Sequence, residues 1–209
     1  IITMIGEAHI EFFGTRDKIA DAKMEITHGL KADGYFIYDG DEPLLIERAK
    51  QVDLSKMTFG RSHTDDVFAT KTSDGQYNTS FEVNLWPDKK VTIPMMGDYN
   101  VNNALAAITV GKLFQIPQIE IIQKLSHFDL TKNRTEWLTG NKGEKILSDV
   151  YNSNPTAARE VLTAFSQTDV MGRRIVVLGD MLELGDKSPQ MHASLANDID
   201  SNEIAAVYL

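Results

Sequence analysis

Ile146-Leu147-Ser148-Asp149-Val150-Tyr151-Asn152-Ser153-Asn154-Pro155-Thr156-Ala157-Ala158 changes character twice within a few residues. A short apolar run ends at Asp149, a polar loop follows, and Pro155 with Thr156 opens a helical pattern through Val161, Leu162 and Phe165. That order reads as strand, loop, helix. In open α/β sheets, ligands bind where strands end, because a polar side chain can face a cleft there and a helix N-terminus offers free N–H groups. The same residue types also cap helices and shape turns, so Asp149 and the asparagines fit a purely structural reading equally well.

Outward from this stretch the pattern stays α/β. Upstream, 134–139 reads as a strand that turns at 140–143 into the strand ending at Asp149. Downstream come a helix to Phe165, a buried strand over 174–178, a polar loop over 179–185, a helix beyond Ser188 carrying His192, and a last strand. Further back, 1–5 reads as a strand and 6–14 as a loop containing His9. Residues 16–30 read as one helix whose buried face holds Ile19, Ala22, Ile26 and Leu30. Lys23 falls on that face, where a lysine either snorkels to water or is buried with a shifted pKa.

A strand over 35–38, a turn over 39–43 and a helix over 44–50 suggest a βαβ unit. From Met57 onward short strands over 57–60, 66–72, 77–86 and 90–94 suggest an antiparallel edge, with turns at 73–75 and 87–88. Asn100, Asn102 and Asn103 open a long helix that breaks before Pro117. Three asparagines exceed what capping needs, and an amide presents a donor and an acceptor together, which matches the edge of adenine. A second helix over 118–128 leads to the domain boundary, placed at 131/132.

Composition bounds the function. With 42% apolar and 24% charged residues among 209, the chain has the make-up of an ordinary globular protein, and no run approaches the roughly 18 apolar residues of a membrane span. A net charge of −9 argues against nucleic acid as a partner, because phosphate-backbone affinity comes from clustered Lys and Arg. The absence of cysteine excludes disulfides and thiolate chemistry and points to the cytoplasm. The chain begins inside an apparent strand without an initiator methionine and stops within an apolar run, so a fragment is expected.

Gly6-Glu7-Ala8-His9 with Ala22-Lys23-Met24-Glu25-Ile26, then Gly97-Asp98-Tyr99-Asn100-Val101-Asn102-Asn103-Ala104-Leu105-Ala106-Ala107, then Asn133-Arg134-Thr135-Glu136-Trp137 through Asp149 to Pro155, taken in this order, resemble the Mur ligase family. Val177-Leu178-Gly179-Asp180-Met181-Leu182-Glu183-Leu184-Gly185 followed by His192 resembles the branch of that family that adds D-alanyl-D-alanine. The resemblance covers essentially the whole chain. It implies an α/β protein in which 1–131 is an incomplete central ATPase-type domain with a mixed sheet, and 132–209 the first part of a Rossmann-like C-terminal domain, truncated.

It also implies ATP and Mg2+ as cofactors, and UDP-N-acetylmuramoyl-tripeptide and D-Ala-D-Ala as substrates, joined through an acyl phosphate. Such chemistry rests on charge neutralisation and positioning. Residue by residue, the resemblance implies His9 as a magnesium donor and Lys23 as a carbamate that helps to hold the ion. Asn100 and Asn103 would contact adenine, Arg134 the nucleotide phosphates and Asp149 the ribose; Lys23 and Arg134 would be the catalytic groups. Tyr151, Asn152 and Asn154 would lie beside the second substrate. Tyr99 departs from the family, which commonly has histidine there.

No Gly-rich phosphate loop with Gly-Lys-Thr occurs in the chain, so the 209 residues alone are expected to be inactive, with an exposed sheet edge that favours self-association. Two alternatives remain open: another member of the superfamily, such as a third-residue-adding or folylpolyglutamate-type ligase, or a non-catalytic acidic binding module.

Overall fold

Packing divides the computed structural model, which describes residues 1–209, into two units. The first comprises Ile1–Ile5, Thr15–Asp74 and Asn78–Phe128; the second comprises Gly6–Gly14, Gly75–Tyr77 and Asp129–Leu209. The expected division at 131/132 is a single cut, whereas the packing groups two short upstream stretches with the second unit. One of them holds α1 (Ile10–Phe13) and His9.

The first unit contains α2 (Arg16–Met24), β1 (Tyr35–Asp39), α3 (Pro43–Ala49), β2 (Ser55–Gly60), β3 (Val67–Asp74), β4 (Thr79–Val83), β5 (Trp86–Ile93), α4 (Tyr99–Leu113) and α5 (Gln118–Ser126). Its sheet runs β1-β2-β3-β4-β5. The pairs β1/β2 and β2/β3 are parallel, and β3/β4 and β4/β5 antiparallel. The expected antiparallel edge therefore starts one strand later than Met57. Helix α3 is the crossover that returns the chain to run β2 alongside β1.

The strand expected over 77–86 also divides differently. The hairpin turns at Asn84 and Leu85, with Val83 opposite Trp86. Asn84 fixes the turn, since its Oδ1 accepts from Phe68 N–H at 2.9 Å and its Nδ2 donates to Asp66 O at 3.1 Å. Pro87 then sits inside β5, which is tolerated because β5 is an edge strand. The opening strand reduces to one parallel bridge between Ile2 and Tyr38.

Helix α4 covers this sheet. Val101, Ala104, Leu105 and Ile108 recur at helical spacing and pack with Phe59, Val67, Phe81, Val83, Val91 and Ile93. Each such large side chain, fully withdrawn from water, contributes about 1.5–3 kcal/mol.

The helix expected over 16–30 ends at Met24, and 25–29 continues as a tighter 3-10 turn. The buried residues are Ile19, Ala20 and Met24, a face rotated by about a quarter turn from the expected one at 100° per residue. Ile26 and Lys23 are exposed, so Lys23 does not lie on a buried face. Tightening at Glu25 stops the 3.6-residue stripe, and an ammonium is costly to bury.

In the second unit β6 (Glu136–Thr139) and β7 (Lys145–Ser148) form an antiparallel hairpin. Trp137 Nε1 donates to Gln76 O at 3.0 Å, and its ring meets Tyr77 edge-on at 5.7 Å, which ties 75–77 to this unit. Then follow α6 (Pro155–Ser166), β8 (Arg174–Val177), α7 (Ser188–Ser194) and β9 (Ile204–Tyr208), with β8 and β9 parallel. The cluster between α6 and this ladder is small: Leu162, Val176 and Ile204. The strand expected to be buried over 174–178 exposes Ile175 and Val177, because a two-stranded ladder packs one face and leaves alternate side chains uncovered.

Candidate functional site

Arg134 stands between two residues with left-handed backbone, Asn133 (φ 60) and Thr135 (φ 47). The chain around Asp149 holds this strained turn from the other side. Asp149 Oδ1 accepts from Thr135 N–H at 2.9 Å, Ser148 Oγ donates to Asn133 Oδ1 at 3.2 Å, and Tyr151 N–H donates to Asn133 O at 3.2 Å. The Arg134 guanidinium lies over the Tyr151 ring, 4.4 Å from its centroid. A guanidinium held over a ring face by its charge keeps N–H groups for an anion. Arg134, Asp149 and Tyr151 thus form one clasp. Asn152 is exposed. Asn154 caps α6, its Oδ1 accepting from Ala157 N–H at 3.0 Å.

A second cluster in this unit holds His9. His9 is left-handed (φ 65) and precedes α1; its Nδ1 pairs with the Glu183 carboxylate, and Glu11 N–H donates to Glu183 O at 3.0 Å. Glu183 is itself left-handed (φ 61). The loop carrying it is anchored by Met181 and Leu184, both buried, while Leu182 is exposed. His192 supports the same loop: Met181 N–H donates to its Nε2 at 2.9 Å, and its Nδ1 lies 2.8 Å from Ser188 O. Asp180 Oδ1 is 3.4 Å from that Nε2. The backbone donor takes the Nε2 lone pair, which leaves Nδ1 to donate to Ser188 O. Thr156, at the start of α6, donates to Glu7. Glu183 is not among the site residues expected from the sequence; its signal there was its place in the Val177–Gly185 motif, as the one charged residue between Leu182 and Leu184.

In the first unit the asparagines of α4 have distinct tasks. Asn100 is 4% exposed; its Nδ2 donates to Met96 O at 2.9 Å and its Oδ1 accepts from Asn103 Nδ2 at 3.3 Å. Asn103 is the exposed member of that pair. Asn102 Oδ1 accepts from Arg61 Nε at 3.0 Å, while Arg61 Nη2 reaches Asp98 O at 2.7 Å. Tyr99 packs its ring against Gly97 (φ 94), where an added Cβ would stand 2.3 Å from the ring; only glycine serves there.

At the carboxyl ends of β1 and β2 stand Asp39 and Asp41, from the expected turn over 39–43, together with Asp65. Asp41 accepts from the N–H groups of Arg61 and Ser62. Burial, opposed by a hydrogen bond from Asp41 N–H and reinforced by the carboxylates of Asp41, Asp65 and Glu42, pushes Asp39 up to about 6. Burial and the Asp41 charge also push Asp65 up, and its buried Oδ2 has no hydrogen-bond partner.

Comparison with known proteins fits both units. Residues 1–111 match the family described as Mur ligase middle domain, and 133–209 the one described as Mur ligase, glutamate ligase domain. The chain belongs to the Mur ligase family. Over 208 residues this Mur ligase chain is 35% identical to UDP-N-acetylmuramoyl-tripeptide--D-alanyl-D-alanine ligase of Bacillus subtilis, a match covering all of the chain and 45% of that protein. It is 32% identical over 171 residues to UDP-N-acetylmuramoylalanine--D-glutamate ligase of Latilactobacillus sakei, covering 82% of the chain and 37% of that protein. MurF from Acinetobacter baumannii superposes with a TM-score of 0.89 at 29% identity, over 98% of the chain and 45% of that structure. The chain thus spans about half the length of these relatives. The mixed α/β fold expected from the resemblance agrees with the architecture observed.

No three His, Asp or Glu side chains are grouped so as to hold a metal ion. Magnesium at a nucleotide, however, takes only one or two protein donors and otherwise phosphate oxygens and water. An imidazole is a softer donor than the carboxylates magnesium prefers; His9 would give one such donor, since Glu183 takes Nδ1 and the ring is more than half exposed.

No helix is long and apolar enough to cross a membrane.

Proposed function

We propose that this Mur ligase chain is part of a cytoplasmic, ATP-dependent ligase that joins D-Ala-D-Ala to UDP-N-acetylmuramoyl-tripeptide during peptidoglycan synthesis. The observation that carries the reading is the Arg134 clasp. An exposed guanidinium, stacked on Tyr151 and set on a turn pinned by Asp149, is an oriented cation of the kind phosphoryl transfer needs. Similarity along the whole of this chain to UDP-N-acetylmuramoyl-tripeptide--D-alanyl-D-alanine ligase of Bacillus subtilis, over 45% of that protein, supports the substrate assignment.

In this reading Arg134 neutralises charge on the transferred phosphoryl group, and Asp149, with one oxygen on Thr135 N–H, offers the other to the ribose. Asn103 is assigned to the base, and Asn100 fixes its amide. Asn152 is assigned to the dipeptide, with Tyr151 and Asn154 shaping its loop. His9 gives one donor to Mg2+, whose chemistry is to neutralise phosphate charge. Lys23 is proposed as the carbamate; its exposure on α2 removes the burial argument, so this role rests on the family motif alone.

Arg134→Ala in the full-length protein is expected to lower kcat/KM for ATP by about 10²–10³, as loss of a preorganised charge does. Phosphate release with both substrates measures it, and an unchanged value would overturn the assignment. Lys23→Ala should lose activity that short-chain carboxylates partly restore; full activity without them would remove the carbamate. The 209-residue chain by itself, without a phosphate loop, should release no phosphate.

A further inference from the structure

Glu183 grips the His9 loop in two ways. Its carboxylate pairs with His9 Nδ1, and its carbonyl accepts from Glu11 N–H at 3.0 Å. Two residues on, Gly185 has φ 59, and a Cβ there would meet Glu11 Cα at 3.4 Å, so the two loops lie backbone against backbone. Both Glu183 and His9 hold left-handed backbone, a conformation that costs a non-glycine residue free energy and persists only where its surroundings enforce it. An ion pair between two side chains this exposed adds little to stability. The arrangement has a different effect. A carboxylate on one ring nitrogen fixes the tautomer and thereby decides which nitrogen keeps its lone pair.

We propose that Glu183 is the positioning residue for His9: it holds the imidazole as the Nδ1–H tautomer and turns the Nε2 lone pair outward as the coordinating atom for a divalent cation. The cation rests on the reading of His9 as a metal donor; the tautomer does not. A neutral histidine without such a partner favours Nε2–H, which would leave no lone pair on the outward nitrogen. A carboxylate behind a metal-binding histidine has this orienting effect generally, and its loss weakens metal affinity about 10–100-fold.

The test is the nitrogen-15 spectrum of the histidine rings in the full-length protein at about pH 8, above the ordinary histidine range. His9 is expected as Nδ1–H in the wild type, as Nε2–H in Glu183→Ala, and again as Nδ1–H in Glu183→Gln, whose amide oxygen still accepts. His192, held on both nitrogens by Met181 N–H and Ser188 O, should be Nδ1–H in all three and reports that the loop is folded. Titration with Mn2+ alone should broaden the His9 signals, and Glu183→Ala should need about 10–100-fold more of it. Nε2–H at His9 in the wild type, or a tautomer indifferent to Glu183→Ala, overturns the proposal. If Glu183→Ala also disturbs His192, the wild-type tautomer alone decides. If the tautomers behave as expected and Mn2+ never broadens His9, the positioning role stands and the metal-donor reading falls.

Discussion

The face of α4 and the loops around Arg134 and His9 are held by different forces. Under α4 the packing is dry: Phe59, Phe81, Val83, Val91, Leu105 and Ile108 are fully buried. Around Arg134 and His9 the fixed points are hydrogen bonds, a cation–π contact and an ion pair on half-exposed side chains. Of the six non-glycine residues with positive φ, four lie in these loops or in the one that holds His9: His9, Asn133, Thr135 and Glu183. Apolar burial is strong but indifferent to orientation, whereas polar contacts are weak but directional. A site that must aim a guanidinium and an imidazole uses the second kind, and relies on a core elsewhere in each unit for its stability.

The largest effect that follows is in the core. Phe81→Ala should cost about 3–5 kcal/mol, the sum of lost transfer and the cavity left behind. Leu162→Ala, in the much smaller cluster under α6 in the second unit, should cost about 2–3 kcal/mol, because the site can collapse into partly exposed neighbours. Chemical denaturation of the two variants measures the difference. Equal losses would break the contrast between a dry and a sparsely packed cluster.

The strand and helix order was legible in the sequence because hydrophobic periodicity reports burial, and burial holds most of these elements. The motif loops were legible as places where that periodicity stops. What escaped was set by geometry that no spacing records. The face of α2 rotates because the helix tightens at Glu25, which exposes Lys23. The antiparallel pairing begins only at β3, and the turn at Asn84 depends on two side-chain hydrogen bonds to a neighbouring strand. Glu183 could not be linked to His9, since the pair is brought together only by the fold.

A smaller effect, of opposite sign, concerns the one carboxyl that the dry unit holds at a strongly altered pKa. Asp39 is raised from 3.8 to about 6, by burial before anything else. Between those values the folded protein keeps a proton that the unfolded chain has lost, so stability falls as pH rises through this window and the penalty is fully present above it. Asp39→Asn removes that penalty and keeps an oxygen to accept from Asp41 N–H, the bond now made at 2.9 Å. It should stabilise the protein by about 1–3 kcal/mol at pH 7. The gain should vanish below about pH 3, where the wild-type carboxyl is protonated in both states. Denaturation at the two pH values checks this; a variant less stable than wild type at pH 7 would mean that the ionised carboxylate is held by a favourable partner.

The smallest effect bears on whether Asn154 belongs to the directional contacts of the site or to the scaffold under it. Its Oδ1 accepts from Ala157 N–H and so satisfies one of the four N–H groups that the first turn of α6 leaves open. Pro155 at the first helical position, buried, leaves no wasted donor beside it. Asn154→Ala should therefore cost about 1 kcal/mol. Asn154→Ser keeps an oxygen at the capping distance and loses the amide nitrogen, so it separates the two roles. If the side chain only caps, the serine variant of the full-length protein regains the stability and binds D-Ala-D-Ala with an unchanged KM. That is the expected result, because the cap alone already accounts for asparagine at the start of α6. A serine variant with restored stability and a raised KM for the dipeptide would move Asn154 into the site, and would show that one residue can serve both kinds of force at once.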